Sequence, residues 1–355
     1  MRSLPTISNT ENEMNLNELF NHEFTNSGTL IVYDSFSTDF QFSISGKPKN
    51  YISDIGIVIQ GGVGNNETLQ LIKQAIYRYK LSYPNSKIII STWNNIDELY
   101  IESLAEAARN YDDVFLMLNR PPDYAGSSNS NMQITSTING ARFAKEKGVK
   151  YILKTRTDQL FGDFLFIDQL LTLHKTFREK LPDSQQGRIV VGSMGSFRAR
   201  PFCVSDFFAF GFTDDIITMW NLELATPDKT PRKIIVRPRS EKDKHPITEE
   251  HMDHFNFVTN KSRCGEGYYT SNLLYNSGRC YSYDWSDSEN FLASCFIVAD
   301  TCSLGLVWPK YGMTSSYSKY KSGHAWGPTF ARSPHGMHEI TFTKWLEFYN
   351  KYLEE

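Results

Sequence analysis

The chain has 355 residues, which is enough for one large α/β domain with elaborations or for two domains. Hydrophobic residues make up 40% of the sequence and charged residues 22%, and the formal net charge is −3. This balance is that of a soluble globular protein. It argues against a nucleic-acid-binding protein, which would need a basic face to neutralise phosphates.

The cysteines and the amino terminus argue against a disulfide-rich, zinc-binding or secreted protein. The five cysteines are irregularly spaced and include no Cys-x-x-Cys pair, so we predict neither a disulfide framework nor a zinc site. Residues 1–21 are polar and lack the apolar core of a secretory signal. No apolar run reaches the roughly 20 residues that span a bilayer. We therefore expect a cytoplasmic protein whose membrane contacts, if any, are peripheral to the inner membrane.

Predicted strands and helices alternate from residue 54 onward. The strands cover 55–59, 87–93, 114–118 and 149–153, and the helices between them cover 65–83, 96–110 and 132–147. Further strands are predicted at 188–192 and 206–211, and further helices at 163–180, 268–275 and 338–353. Such alternation implies βαβ units, and hence a Rossmann-type α/β fold with a mostly parallel sheet flanked by helices.

Composition suggests four segments along the chain. We expect a flexible amino-terminal segment over 1–28 and the α/β domain over 29–225. Residues 226–262 are rich in proline and charge, which predicts an exposed excursion. Residues 263–355 form the helical and irregular carboxyl-terminal portion of the same domain.

Charge is concentrated where the fourth strand ends. Lys154, Arg156 and Asp158 follow the apolar residues 151–153. Open α/β sheets bind their ligands at the carboxyl ends of parallel strands. A carboxylate there can hold a divalent cation, and Lys and Arg can balance a diphosphate. The alternative is an ion pair that only orders the end of the strand.

Two other strands end in residues suited to a nucleotide. Gln60, Gly61 and Gly62 follow the first strand, where glycines allow close backbone approach to a base or ribose. They match neither the Gly-x-Gly-x-x-Gly pattern nor a Walker loop, and the alternative is a simple tight turn. Thr92 and Trp93 end the second strand, where they could bond to or stack on a nucleoside; for Trp93 a place in the core is the alternative.

The helix before the charged strand carries polar residues on a face that should be buried. Asn131, Gln133, Ser136 and Thr137 need hydrogen-bond partners there. The hydroxyls or phosphates of a ligand could supply them, and helix capping or surface exposure accounts for some of them.

These motifs together resemble the WavE family of lipopolysaccharide-synthesis proteins. The resemblance runs over residues 54–275 and rests on 57–61, Ser91-Thr-Trp93, Asn131-x-Gln133-x-x-Ser136-Thr137, Tyr151-x-Leu153-Lys-Thr-Arg-Thr-Asp158 and 205–211. The Lys-Thr-Arg-Thr-Asp block is its most specific part. The family is similar to nucleotide-sugar glycosyltransferases of the GT-A type, so the resemblance implies a GT-A-like fold.

The implied function is transfer of a sugar from a nucleotide-sugar donor to a growing lipopolysaccharide or capsule. The acceptor would be a saccharide or a lipid-linked saccharide. The residues expected to bind the donor are Gln60, Gly61, Gly62, Thr92, Trp93, Asn131, Gln133, Ser136, Lys154, Arg156 and Asp158. The alternatives are a sugar nucleotidyltransferase and a non-catalytic protein that binds or assembles polysaccharide.

Catalytic and metal-binding residues follow from the same resemblance. Asp206 and Glu266 are the carboxylates expected to act on the acceptor, although capping of a helix also explains Glu266. GT-A enzymes usually hold Mg²⁺ or Mn²⁺ with Asp-x-Asp, but this chain has Arg156-Thr-Asp158. Either Asp158 holds the cation, with His335 as a further ligand, or Arg156 and Lys154 stabilise the leaving phosphate without a metal.

Overall fold

A computed structural model describes residues 29–33, 41–45, 54–198, 202–226, 265–277, 285–309 and 339–353. The chain divides into two compact units, Met1–Lys47 and Pro48–Glu355. In the first unit, β1 (Thr29–Tyr33) pairs antiparallel with β2 (Gln41–Ser45). Residues 1–28 and 227–262, for which a flexible segment and an exposed excursion are predicted, lie outside the described residues.

The second unit contains a seven-stranded sheet. Its strands are β3 (Ile55–Gln60), β4 (Lys87–Trp93), β5 (Val114–Asn119), β6 (Tyr151–Arg156), β8 (Ile189–Gly192), β9 (Ala209–Phe212) and β10 (Phe296–Ala299). They lie in the order β10-β8-β9-β6-β3-β4-β5. Within this sheet β9 is antiparallel to its neighbours β6 and β8, and all other pairs are parallel. A small antiparallel pair joins β7 (Leu160–Phe161) to β11 (Leu306–Val307).

Helices connect and flank these strands. They are α1 (Asn66–Ser82), α2 (Glu98–Arg109), α3 (Ser130–Glu146), α4 (Phe166–Thr176), α5 (Thr213–Trp220), α6 (Gly265–Tyr269), α7 (Ser271–Asn276), α8 (Trp285–Cys295) and α9 (Phe342–Leu353). The predicted cap of α1 is Asn65, whose side chain accepts a hydrogen bond from Thr68 N at 2.9 Å. Among the helices of the described ranges, none is both long and apolar enough to cross a bilayer.

The predicted fold class, an α/β fold with a mostly parallel sheet flanked by helices, is confirmed. The four predicted strands of the first half form and are mutually parallel. Helix α4 is shorter than the predicted 163–180, and beyond its end the carbonyls of Phe177 and Glu179 accept hydrogen bonds from Arg188. Strand β9 begins at Ala209, after the predicted start at Asp206, because the Asp206 carbonyl accepts side-chain donors.

Helix α3 packs closely on the middle of the sheet because it carries a glycine there. A Cβ atom on Gly140 would lie 2.6 Å from Val58 Cγ1 and 3.1 Å from Ser91 Cβ. The contact face of α3 also uses small residues, namely Ser136, Thr137, Ala141 and Ala144. This close approach brings the polar residues of α3 within hydrogen-bonding distance of the strands.

Replacing Gly140 by alanine should destabilise the protein by about 1 to 2 kcal/mol. The added methyl group must displace Val58, a stiff β-branched residue, and this cost exceeds the gain of about 1 kcal/mol in helix propensity. Urea unfolding followed by circular dichroism measures the difference. Gly64→Ala is the control, because no atom lies within 4 Å of its Cβ position, and it should change stability by less than about 0.5 kcal/mol. Equal effects of the two substitutions would contradict the packing argument.

Candidate functional site

Six strands of the sheet end at one edge, which we call the carboxyl edge. Strands β3, β4, β5 and β6 are parallel, and β8 and β10 run in the same direction, so all of them end there. Strand β9 runs the opposite way and begins there. The pairing register places Gln60 between Ser91 of β4 and Arg156 of β6. The strand ends that the sequence singles out are therefore neighbours in space.

A buried hydrogen-bond network lies beneath this edge. Ser136 Oγ donates to Gln60 Oε1 at 2.7 Å, and Ser91 Oγ donates to the Ser136 carbonyl at 2.7 Å. Asn119 Nδ2 donates to Ser91 Oγ at 2.9 Å, and Asn139 Nδ2 donates to Asn119 Oδ1 at 3.0 Å. These groups satisfy one another, so the network fixes α3 and three strand ends in place without facing outward.

The glycine loop after β3 is held against the end of β6 by Thr157. Its backbone N donates to the Gln60 carbonyl at 3.0 Å, and its Oγ1 donates to the Gly62 carbonyl at 2.8 Å. Gly61 has φ +131°, and a Cβ there would lie 2.8 Å from Thr157 Oγ1, so only glycine fits. Gly62 is exposed and its Cβ position lies 3.5 Å from the buried Trp93 ring.

Arg156 and Asp158 form a bidentate ion pair at the carboxyl edge. Arg156 Nε donates to Asp158 Oδ1 at 2.9 Å, and Nη2 donates to Oδ2 at 3.1 Å. The two side chains are 23% and 21% exposed. The guanidinium carbon lies 5.1 Å from the centre of the Trp308 ring, which in turn packs edge-on against Phe207. The guanidinium is thus fixed in position and orientation while part of it faces solvent.

Lys154 is fully buried on the same strand. Its Nζ donates to the carbonyl oxygen of Asp206 and lies 4.7 Å from the centre of the Trp220 ring. Burial lowers the pKa of Lys154 to about 7, and the negative charge of Asp206 partly opposes this shift. The ammonium group has no exposed surface, so a ligand at the carboxyl edge does not reach it in this arrangement.

Asp206 lies on the segment that leads into β9, and its side chain is partly exposed. Its carbonyl also accepts a hydrogen bond from Gln133 Nε2 at 3.3 Å, and Gln133 Oε1 accepts one from the Tyr269 hydroxyl at 3.1 Å. Tyr269 belongs to α6, the helix that carries Glu266. The side chain of Glu266 and the whole of His335 lie outside the described part of the chain.

Two predicted donor-binding residues have local structural contacts. Asn131 Nδ2 donates to the carbonyls of Tyr124 and Ala225 at 2.8 and 2.7 Å, and its Oδ1 accepts from Ala225 N at 2.9 Å. It therefore ties the start of α3 to the segment after α5. Thr92 is buried at the end of β4, and its Oγ1 has no hydrogen-bond partner among the described residues.

The predicted residues thus fall into an accessible set and a buried set. The accessible or partly exposed residues are Gly61, Gly62, Gln133, Arg156, Asp158 and Asp206. The buried residues are Gln60, Thr92, Trp93, Asn131, Ser136 and Lys154. Only the accessible residues can contact a ligand without rearrangement, and the buried residues hold them in place.

Several residues of this arrangement were not singled out by the sequence, among them Asn119, Thr157, Tyr269 and Trp308. The sequence could have indicated Asn119 and Thr157 as site residues. Asn119 ends a strand as Trp93 does, and Thr157 lies inside the charged motif. Nothing in the sequence indicated Tyr269 and Trp308, because each is far along the chain from the residue that it contacts, Gln133 and Arg156 respectively.

Asp158 lies in an ion pair, and no cluster of metal ligands surrounds it among the described residues. Both oxygens of its carboxylate accept hydrogen bonds from Arg156. Across the described ranges, no three His, Cys, Asp or Glu side chains come together as a possible metal site. A cation at Asp158 would lie beside the guanidinium and would be repelled by its positive charge.

Similarity to solved structures is weak. The chain resembles a cytidylyltransferase from Leptospira borgpetersenii serovar Hardjo-bovis (strain JB197), with a TM-score of 0.31 and 12% identity over 64% of this chain and 98% of that chain. It also resembles a nucleoside-diphosphate-sugar pyrophosphorylase from Vibrio cholerae RC9, with a TM-score of 0.30 and 12% identity over 47% and 77%. At these values neither structure bears on the activity of this chain. No curated protein matches the sequence.

A family model provides the stronger comparison. The model described as WavE lipopolysaccharide synthesis matches residues 55–355. This range contains the whole seven-stranded sheet and every residue of the carboxyl edge. It confirms the resemblance inferred from the motifs at the strand ends. The chain therefore belongs to the WavE lipopolysaccharide synthesis family.

Proposed function

We propose that this protein is a glycosyltransferase that moves a sugar from a nucleotide-sugar donor to a growing lipopolysaccharide. The observation that carries the proposal is the fixed Arg156–Asp158 pair at the carboxyl edge, directly beside the accessible glycine loop. Ligands of open α/β sheets bind at this kind of edge. Membership of a lipopolysaccharide-synthesis family supports a saccharide as the product.

On the donor side, Arg156 binds the phosphate that leaves with the nucleotide. A guanidinium fork matches phosphate oxygens as well as it matches a carboxylate, so the donor phosphate takes over donors that Asp158 holds. The partly enclosed position strengthens this attraction relative to bulk water. The backbone of Gly61 and Gly62 lets the ribose or base approach closely. The charge that develops on the leaving phosphate is thereby stabilised.

On the acceptor side, Asp206 takes the proton of the attacking hydroxyl. In an inverting reaction the acceptor oxygen bonds to the anomeric carbon while the bond from that carbon to the phosphate oxygen breaks. The electron pair of the broken bond leaves with the phosphate. A partly exposed carboxylate at the same edge suits the base. Glu266 is the second candidate, since its helix contacts Gln133 through Tyr269.

Arg156 supplies the positive charge in this proposal, and no step depends on a metal ion. The alternative, a Mg²⁺ or Mn²⁺ ion on Asp158, places a second cation beside the guanidinium. The two mechanisms differ in the function of Asp158, which is either a ligand that the reaction needs or a partner that the donor displaces.

A panel of UDP-, GDP-, CMP- and ADP-linked sugars tests the proposed function. We expect one donor to raise the melting temperature, since a ligand of the native state stabilises it, and to release its nucleotide when an acceptor saccharide is added. Pyrophosphate formation from a nucleoside triphosphate and a sugar phosphate would instead show a nucleotidyltransferase. Saccharide binding without nucleotide release or pyrophosphate formation would show a non-catalytic binding protein.

Arg156→Lys should lower sugar transfer by at least about tenfold, which corresponds to about 1.4 kcal/mol in the barrier. Lysine keeps the charge but loses the fork that binds two oxygens. Initial rates of nucleotide release measure the effect. Arg109→Lys, at the end of α2 and away from the carboxyl edge, is the control and should transfer at the wild-type rate. Wild-type transfer by Arg156→Lys together with a lower melting temperature would make Arg156 a purely structural residue.

Asp158→Asn should leave donor binding intact or strengthen it, because Arg156 loses its competing partner. EDTA should leave donor affinity of the wild type unchanged. Calorimetric titration with the donor chosen from the panel, with and without EDTA, gives both values. Loss of donor binding in Asp158→Asn and in EDTA-treated wild type would show that Asp158 is a metal ligand and that the metal-independent mechanism is wrong.

A further inference from the structure

Lys154 occupies a position where a lysine is costly. It lies in the middle of the sheet, paired with Val58 of β3 and Ala209 of β9, and it has no exposed surface. A buried ammonium group loses its hydration and needs compensation from hydrogen bonds or opposite charge. Its compensation comes from the Asp206 carbonyl, the Trp220 ring and the charge of the Asp206 carboxylate.

The Asp206 carbonyl receives donors from two different elements. Lys154 donates to it from β6, and Gln133 donates to it from α3 at 3.3 Å. Asp206 precedes the first residue of β9, so no strand partner pairs with it in the sheet ladder. The side chains of Lys154 and Gln133 therefore fix the segment around Asp206 where backbone pairing between strands does not.

A third element completes the arrangement. The Tyr269 hydroxyl donates to Gln133 Oε1 at 3.1 Å, which leaves Gln133 Nε2 oriented toward Asp206. The Tyr269 ring lies 4.6 Å from the Trp220 ring, the same ring that Lys154 contacts. Lys154 of β6 and Gln133 of α3 thus donate to one carbonyl, and Tyr269 of α6 holds Gln133 in place.

We propose that Lys154, Gln133 and Tyr269 form a brace that positions Asp206 at the carboxyl edge. Lys154 acts as a positioning residue and does not touch the donor phosphate. The inference rests on the proposed function only in giving Asp206 a catalytic part; the brace itself is a property of the fold. It assigns to Lys154 a different function from the phosphate contact that its place in the charged motif suggests.

The brace makes transfer dependent on the charge of Lys154. Asp206 and Asp158 favour its ammonium form, Arg156 opposes it, and the uncharged Trp220 ring lies against it. Because the pKa of Lys154 is lowered to about 7, its charge is lost as pH rises through that value. Its hydrogen bond to Asp206 then loses the contribution of the charge. We expect kcat to fall over that range while KM for the donor stays constant.

Lys154→Met and Tyr269→Phe test the brace through kinetics. Methionine keeps the length of the side chain and removes the charge that burial penalises, so the variant is expected to fold. We expect kcat to fall by at least about tenfold in Lys154→Met, with donor KM within about twofold of wild type and no fall in kcat near pH 7. Tyr269→Phe should lower kcat less and keep the pH dependence. Parallel losses in kcat and donor affinity would show that Lys154 contacts the donor, which would overturn the proposal.

Hydrogen exchange tests the brace without any activity. The backbone amides of 204–208 should exchange faster in Lys154→Met and in Tyr269→Phe than in wild type. Lys154→Met removes one donor of the Asp206 carbonyl, and Tyr269→Phe removes the bond that orients the other donor, Gln133. Lys150→Met is the control, since Lys150 contacts Tyr151 and Phe212 and not the Asp206 segment. Unchanged exchange at 204–208 in both variants would refute the brace. Faster exchange in a protein that releases no nucleotide would retain the brace and refute the proposed glycosyl transfer.

Discussion

The parallel pairing of β6 with β3 is the interaction on which the candidate site depends. It sets Arg156 opposite Gln60, so the charged strand end and the glycine loop emerge side by side. A shift of one residue would turn Arg156 away from Gln60 and toward the other face of the sheet. Thr157 then locks the two exits together through its bonds to Gln60 and Gly62.

The carboxyl edge has buried residues that hold the strand ends in place and partly exposed residues that can bind a ligand. Ser91, Asn119 and Ser136 are buried and satisfy one another, which stabilises the network because unpaired polar groups are costly in the interior. Arg156 and Asp158 retain about a fifth of their surface. A ligand arriving at the edge therefore meets a rigid frame with few accessible groups, an arrangement that limits the reorganisation needed for binding.

The pairing of Arg156 with Asp158 sets the electrostatics of the edge. Two neighbouring carboxylates need a cation between them, whereas Arg156 and Asp158 neutralise each other. The second cation of the motif, Lys154, points into the protein and holds the segment before β9. Lys154 and Arg156 share a face of β6. They differ in their surroundings because Lys154 lies within the sheet and Arg156 at its end, so one short motif supplies both the accessible ion pair and the proposed internal brace.

The sequence by itself determined the features that depend on local order. The alternation of strands and helices, the Asn65 cap of α1 and the family motifs all follow from residues close together in the chain. Burial of Lys154 and Trp93, by contrast, depends on what packs over each strand. The pairing of β10 with β8 and the contacts of Tyr269 and Trp308 join residues far apart in sequence. Only the tertiary structure decided these, because spacing along the chain specifies which residues share a face of an element but not which distant element covers it.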